Sequence, residues 1–376
     1  MKGETRPLNS PSDDDDVRGC FHDLTTRLPV TFAGVDAIVY YNARYWPCRG
    51  CPLMQVRQYE PPVDTLLADE LVEFWQTTFE VSFDEMRAIL AGEEIAHNHD
   101  VFQVARVDGR LAGSCHSTIG RSSHLLGGLG EVAVPPEFRG QGIASSLCAQ
   151  ARDAFQEAGG RALFLGTVNS HAARVYHRLG WRKLEGTNVM VVLSDSQSPA
   201  DFLADYFHDP AAVSVFPGTA ADRLAIIPLI MTPHDEFVLD ANLDLFSSRY
   251  TVQNSCMGLY SKYDSLGDDG RGAWFVARSE RGRVVGLSSV RMDDSHRAQI
   301  DGCVHQHFLG SWSDVIAAPI EWAAEHDASL LTVRLCDQDK EKLRRFQSLG
   351  FKRRHASAGL LLDQQQFSAT WLERAV

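Results

Sequence analysis

The chain reads as α/β, built of two copies of one domain, and two observations predict this. The first is a strand, a glycine-rich turn and a helix in immediate succession between Leu129 and Glu157. The second is internal likeness at a nearly constant offset. Val-Ala-Arg-Val-Asp-Gly-Arg-Leu-Ala-Gly from Val104 resembles Val-Ala-Arg-Ser-Glu-Arg-Gly-Arg-Val-Val-Gly from Val276, and Leu-Gly-Trp-Arg-Lys from Leu179 resembles Leu-Gly-Phe-Lys-Arg from Leu349. Val104 and Val276 stand 172 residues apart, Gly180 and Gly350 170 apart. An offset that holds across the same order of elements is the mark of an internal repeat.

The elements follow in order. Residues 1–53 form an extension; its first twenty residues are polar and acidic enough to be disordered, and Val30 to Tyr41 is apolar enough to be a docked strand. Met54 could also be the natural start. Met54 to Tyr59 alternates as a short strand, and Asp64 to Thr78 has the spacing of an amphipathic helix with Leu66, Leu67, Leu71, Val72 and Trp75 inward. Residues 104–113 are two apolar strands joined by a charged glycine turn. Leu129 to Val134 is a strand, and Ile143 to Glu157 a helix with Ile143, Leu147, Ala151, Ala154 and Phe155 inward, ended by Gly159-Gly160. Ala162 to Leu165 is a strand. Ser194 to Pro199 opens a connecting segment, taken as 196–210, the second copy spans 211–365, and 366–376 is a tail.

The turn at Arg139 to Ala144 is built for phosphate. A helix N-terminus leaves about four N–H groups unpaired and carries roughly half a positive charge, so it attracts a diphosphate where the backbone can come close. Glycines at 140 and 142 permit that approach. A Rossmann or P-loop turn would look similar, but no glycine precedes the turn at Rossmann spacing and no Gly-Lys-Ser/Thr follows. Downstream lie Asn169, Ala172, Tyr176, Gly180 and Trp181. The two blocks together resemble the GNAT superfamily of acyl-CoA-dependent N-acyltransferases, over about residues 54–193.

That resemblance implies two GNAT-type domains, each a mixed, mostly antiparallel sheet flanked by helices, with the catalytic domain at 54–195. It implies transfer of an acyl group, most often acetyl, from acetyl-CoA to a primary amine. It makes Arg139, Gly140, Gln141, Gly142, Ile143 and Ala144 the diphosphate turn and Asn169 a further cofactor contact. It makes the backbone of Val132, Ala133 and Val134 an edge for the pantetheine arm. Tyr176 would supply a proton or hydrogen bond to the departing thiolate, a phenol near pKa 10 suiting a thiol near 8.5. Glu131 is the candidate base for the attacking amine, with His116 and His171 as competitors. The alternative function is an acyl-CoA-binding sensor or scaffold that does not turn over.

The copies differ where chemistry would occur. Aligning Val304 with Val134 sets Leu309 against Arg139, Trp312 against Gly142 and Phe346 against Tyr176. The second copy is therefore expected to have lost acyl-CoA binding.

Composition is consistent with a soluble enzyme. The net charge of −13 disfavours nucleic-acid binding, and 44% hydrophobic residues suffice for globular cores. No apolar run nears the ~20 residues needed to span a bilayer, and no signal peptide is apparent, so a cytoplasmic location without membrane contact is expected. Acyl-CoA and a small amine are the expected partners, the oligomer being a monomer or a homodimer. Cys48 and Cys51 are the only pair at ligand spacing, and Cys20 with His22 could in principle complete a zinc site, but a structural zinc would normally show a second tight pair, and no metal is expected.

Overall fold

In the computed structural model, which describes residues 25–32, 35–42, 54–208, 211–362 and 365–376, the chain begins with an antiparallel pair, β1 (Thr25–Phe32) and β2 (Val35–Asn42). β2 meets β3 (Met54–Tyr59) at one register pair, Asn42 with Val56. The expected disorder of residues 1–20 and the cysteines at 20, 48 and 51 lie outside the described residues.

α1 (Thr65–Phe79) starts where the Asp64 carboxylate accepts the Leu67 N–H at 3.0 Å. Leu67, Leu71, Val72 and Trp75 are buried. Leu66, expected inward, is 83% exposed, because a stripe through 67, 71 and 75 turns its neighbour about 100° away. After α2 (Met86–Ala91) come β4 (Asn98–Val107) and β5 (Arg110–Gly120). Their two loop residues, Asp108 and Gly109, have φ of 50° and 78°, which a two-residue hairpin needs to match strand twist.

β6 (Leu126–Ala133), α3 (Ile143–Glu157), β7 (Ala162–Gly166), α4 (Ser170–Arg178), β8 (Arg182–Lys183) and β9 (Val189–Leu193) complete the first unit. On α3 Cys148 joins the buried stripe and Ala154, expected inward, lies exposed on its flank. The expected connecting segment is not loose: it carries α5 (Pro199–Tyr206), whose Phe202, Leu203 and Tyr206 are buried.

The second unit comprises β10 (Val213–Pro217), α6 (Ile226–Met231), β11 (Val238–Asp240), β12 (Leu245–Phe246), α7 (Leu259–Asp264), β13 (Gly272–Ser279), β14 (Val284–Met292), β15 (Arg297–Val304), α8 (Trp312–Glu325), β16 (Leu330–Cys336), α9 (Lys340–Ser348), β17 (Lys352–Leu362) and β18 (Gln365–Ala375). Residues 366–376, expected as a tail, instead supply β18, which lies between β16 and β17. A strand so placed pairs on both edges, so the second sheet runs to Ala375 rather than ending at 365.

Beyond β1 and β2, the first sheet has the order β3-β4-β5-β6-β7-β9-β8 and the second β10-β13-β14-β15-β16-β18-β17, which is the same order. Each is mixed and mostly antiparallel, with one parallel pair, β6 with β7 and β15 with β16. Helices flank both, as the sequence predicts.

α8 shows how the second sheet holds its helix. Pro319 lies inside it and has no N–H for the Val315 carbonyl four residues earlier. The Ser288 hydroxyl on β14 donates to that carbonyl at 2.7 Å, so the orphaned acceptor becomes a helix-to-sheet tie.

The units share a core. Leu126, Phe164 and Val191 of the first sheet pack in one apolar cluster with Phe202 and Tyr206 of α5, Ile226 and Ile227 of α6, and Val276 and Leu287 of the second sheet. Segment 253–257 lies directly on the first unit: the Asn188 N–H donates to the Gln253 carbonyl at 2.7 Å, and a Cβ on Gly128 would stand 2.3 Å from Met257 Sδ. Gly128 is thus a close-approach glycine.

Candidate active site

Where β6 leaves β7 the first sheet opens. Their ladder holds only at Leu126–Ala162, Gly127–Leu163 and Gly128–Phe164, while on its other side β6 stays paired with β5 as far as Ser114–Ala133. The β6 edge from Leu129 to Ala133, including Val132 and Ala133, therefore faces the gap without a strand partner among the described residues. Val134 follows, its carbonyl accepting from Arg139 Nε at 3.0 Å, which closes the turn.

The turn has the form the sequence predicts. Gly140 and Gly142 have φ of 77° and 76°, and a Cβ on either would meet nothing within 4 Å. Arg139, Gly140, Gln141 and Gly142 are exposed, and no side chain caps α3 at Gly142. The first-turn N–H groups at Ile143 and Ala144 thus open onto free space, a cradle that fits a diphosphate. The Ile143 side chain takes no part in it. It is buried against Gly113, where a Cβ would stand 2.7 Å from its Cγ2, so it pins the helix start to the sheet.

Glu131 sits on a bulge. Between the pairs Ser114–Ala133 and His116–Gly130, two residues of β6 oppose one of β5, and Glu131 takes φ 47°. Its backbone carbonyl accepts from Ser114 Oγ at 2.7 Å, and Ser114 accepts from Trp75 Nε1 at 2.9 Å. The bulge re-aims the Glu131 carboxylate onto His116, with Oε2 to Nδ1 at 2.7 Å. His116 Nε2 lies 2.8 Å from Asp100 Oδ1, and its ring stacks on Phe102 with centroids 4.4 Å apart. Arg223, from the second unit, donates to Asp100 Oδ1 at 3.1 Å and to Glu94 at 3.0 Å.

The electrostatics follow from this packing. Burial opposes the charge on Asp100, but His116 and Arg223 outweigh it and hold the carboxyl down at about 2. For His116 burial opposes the imidazolium, while hydrogen bonds to Asp100 and Glu131 prevail and raise its pKa above the ordinary value. Glu85 is raised, first by burial and then by the Glu131 charge.

Tyr176, on α4, is buried in the cluster holding Leu129, Ile143 and Cys148. Burial first, then the thiols of Cys148 and Cys115, keep its phenol well above the usual range, so it carries its proton across the assayable pH range. Asn169 caps α4: its Oδ1 accepts the N–H groups of His171 and Ala172 at 2.9 and 3.3 Å. His171 is exposed and bonds Arg174 at 2.7 Å, away from Glu131's network, whereas His116 is at its centre.

In the second unit the β15–β16 ladder also holds over three pairs only, Arg297–Leu330, Ala298–Leu331 and Gln299–Thr332. Here the space beyond is filled. Trp312, buried at the start of α8, meets Phe346 of α9 edge-on with centroids 5.5 Å apart. Asp301, 170 residues after Glu131, is fully buried with Lys342 Nζ 2.7 Å from its Oδ1.

Sequence reasoning missed Asp100, Glu94, Ser114 and Arg223. No local signal marks them: Asp100 reaches His116 only through sheet pairing, and Arg223 lies 123 residues from Asp100 along the chain.

Residues 64–181 match the family model of the acetyltransferase (GNAT) family, so this part of the chain carries a GNAT acetyltransferase-family domain. No curated protein matches the chain. Solved structures similar to it include an N-acetyltransferase from Staphylococcus aureus Mu50, 16% identical, covering 44% of this chain and 98% of its own, TM-score 0.36. Another is a ribosomal-protein-alanine N-acetyltransferase from Brucella melitensis, 16% identical, covering 43% and 99%, TM-score 0.35. A third is a GNAT superfamily phosphinothricin acetyltransferase from Sinorhizobium meliloti in complex with AcCoA, 11% identical, covering 44% and 88%, TM-score 0.36. Among the described residues no helix is long and apolar enough to cross a membrane.

Proposed function

We propose that the chain is an acetyl-CoA-dependent N-acetyltransferase acting on a small primary amine, with one working centre, in the N-terminal unit. The observation that carries this reading is the continuity of three features along β6: an unladdered edge from Leu129, a partly buried carboxylate–imidazole pair at Glu131, and an uncapped glycine turn at Gly140 and Gly142. The turn's N–H groups would hold the diphosphate and the edge at Val132 and Ala133 the pantetheine arm. Acetyl-CoA supplies the activated acyl group.

The roles of the chain's own groups follow. A primary amine is mostly protonated near neutral pH and must shed a proton to attack. Glu131, 12% exposed at its side chain and backed by His116, receives that proton. Tyr176, held protonated by its burial, gives its hydroxyl hydrogen to the leaving sulfur. Asn169 acts through the α4 start it caps, keeping Tyr176 in place.

The second unit keeps the fold as a degenerate copy, its gap taken by Trp312, Phe346 and the Lys342–Asp301 pair. A broad amine panel assayed for free CoA release from acetyl-CoA tests the reading. Release with at least one amine, lost in Glu131→Gln, is the expected result. Tight acetyl-CoA binding without release for any amine would make the protein a sensor instead.

A further inference from the structure

We propose that Arg223, supplied by the C-terminal unit, is a positioning residue for the reaction of the N-terminal unit, fixing Asp100, which fixes His116, which fixes Glu131. This rests on the reading of Glu131 given above.

Each link is short, and those from Arg223 to Asp100 and from Asp100 to His116 are buried. Arg223 is 4% exposed at its side chain and Asp100 2%, and one guanidinium nitrogen serves both Asp100 and Glu94. Arg223 is itself held firmly. It follows the turn Ala220–Asp222, in which the Thr219 N–H donates to Asp222 Oδ2 at 3.1 Å, and Asp222 is gripped by Arg278 through contacts of 2.7 to 3.0 Å. The same turn docks on the first unit, where Asn98 Nδ2 donates to the Ala220 carbonyl at 2.9 Å. A rigid element of one unit thus delivers a cation beneath the other unit's carboxylate.

Proton counting shows what the cation does. With Asp100 ionised, its Oδ1 can only accept, so His116 Nε2 must carry a hydrogen. The 2.7 Å contact between His116 Nδ1 and Glu131 Oε2 then holds one proton, as imidazolium with carboxylate or as imidazole with carboxylic acid. Taking a proton from an amine brings the pair to two, imidazolium with carboxylic acid, without moving a heavy atom. His116 and Arg223 together keep Asp100 ionised inside the protein, and Arg223 fixes where that carboxylate stands, so the imidazole keeps the one orientation and tautomer that leaves Glu131 ready.

Other groups face this network. From the first unit these are Glu85, Glu94 and the Cys115 thiol, and from the second Cys256 and Tyr260. Glu85 and Glu94 are the further acids of the cluster, and Arg223 is the cation that the Asp100 and Glu94 carboxylates contact.

Two readouts in the full chain test the proposal: ring-nitrogen NMR of ¹⁵N-labelled His116 against pH, and the pH profile of kcat/KM. In Arg223→Gln one positive charge is lost while Asp100 keeps its His116 contact. The His116 midpoint should therefore rise by about one pH unit, and the acidic limb of kcat/KM should move up with it. Arg223→Lys should fall between the two. Glu94→Gln, which removes Arg223's other partner, should shift the midpoint the opposite way, and it decides the matter should Arg223→Gln not fold. An unmoved His116 midpoint and limb in folded variants, with only thermal stability reduced, would make Arg223 a strut between the units and overturn the proposal. If the unaltered protein turns over no amine, the enzyme reading fails, yet the His116 titration still decides the role of Arg223.

Discussion

Lys342 Nζ stands 2.7 Å from Asp301 Oδ1 with both side chains fully buried, and it also donates to the Val238 and Leu239 carbonyls at 2.7 and 3.2 Å. At an offset of 170 these two residues correspond to Ala172 and Glu131 of the first unit. A carboxylate thus stands at the aligned position of the second unit, but it is tied to an ammonium from α9. Burial works against that ammonium, and Asp301 and Glu236 outweigh it, holding Lys342 above the ordinary lysine range.

Removing one partner of such a pair leaves a bare buried charge. Lys342→Met should cost about 3–5 kcal/mol of stability, read as a lower urea midpoint. Lys342→Met combined with Asp301→Asn should recover much of that loss, since neither charge remains.

Calorimetric titration should give one acetyl-CoA per chain. Gly142→Val should weaken that binding at least tenfold while leaving the fold intact: left-handed backbone costs a β-branched residue about 1–2 kcal/mol, and the new side chain stands in the cradle. Two sites per chain would contradict the filled second gap.

Tyr176→Phe should lower kcat about a hundredfold with little change in acetyl-CoA affinity, measured by steady-state CoA release alongside calorimetry. Equal losses in both would mean that the hydroxyl holds the cofactor rather than the leaving sulfur.

Stability should depend on pH through two buried carboxyls of opposite sense. Asp100, held at about 2 against about 3.9 unfolded, contributes stability that is present above pH ~4 and lost as pH falls toward 2. Asp240 is raised to about 7, first by burial and next by Asp301, so folded protein keeps a proton that unfolded chain sheds, and stability drops between pH ~4 and 7. Asp240→Asn keeps an acceptor for Ser289 and removes the second effect; its melting temperature should exceed that of the unaltered protein at pH 8 and match it near pH 4.

Ser288→Ala should destabilise by about 1–3 kcal/mol in denaturant titration, because it leaves the Val315 carbonyl buried and unbonded beside Pro319. Adding Pro319→Ala, which restores the helical N–H, should shrink that penalty.

Much of the fold was legible because it is written locally. The α3 limits, the hairpin at Asp108-Gly109 and the left-handed glycines of the turn are set by residues within a few positions of each other. The likeness of the two units was visible for the same reason, each carrying its own hairpin and its own Leu-Gly-aromatic step. In the candidate site, the sequence marks Glu131, the glycine turn and Tyr176 through their local patterns. It does not mark Asp100 or Arg223, whose meaning depends on strand register and on one unit docking upon the other. Strand β18 was missed because its pairing with β16 and β17 decides its place, not its own short alternation. Leu66 and Ala154 mark a smaller failure: helical spacing fixes a stripe but not its edges.

The apolar cluster that Leu126, Phe164 and Val191 share with α5 and α6 makes the two repeats inseparable as cargo. A gene cut at the repeat boundary would yield a first unit with that sheet face bare to water and its His116 network missing a cation. The two units therefore cannot be shuffled as beads on a string: each completes a surface of the other.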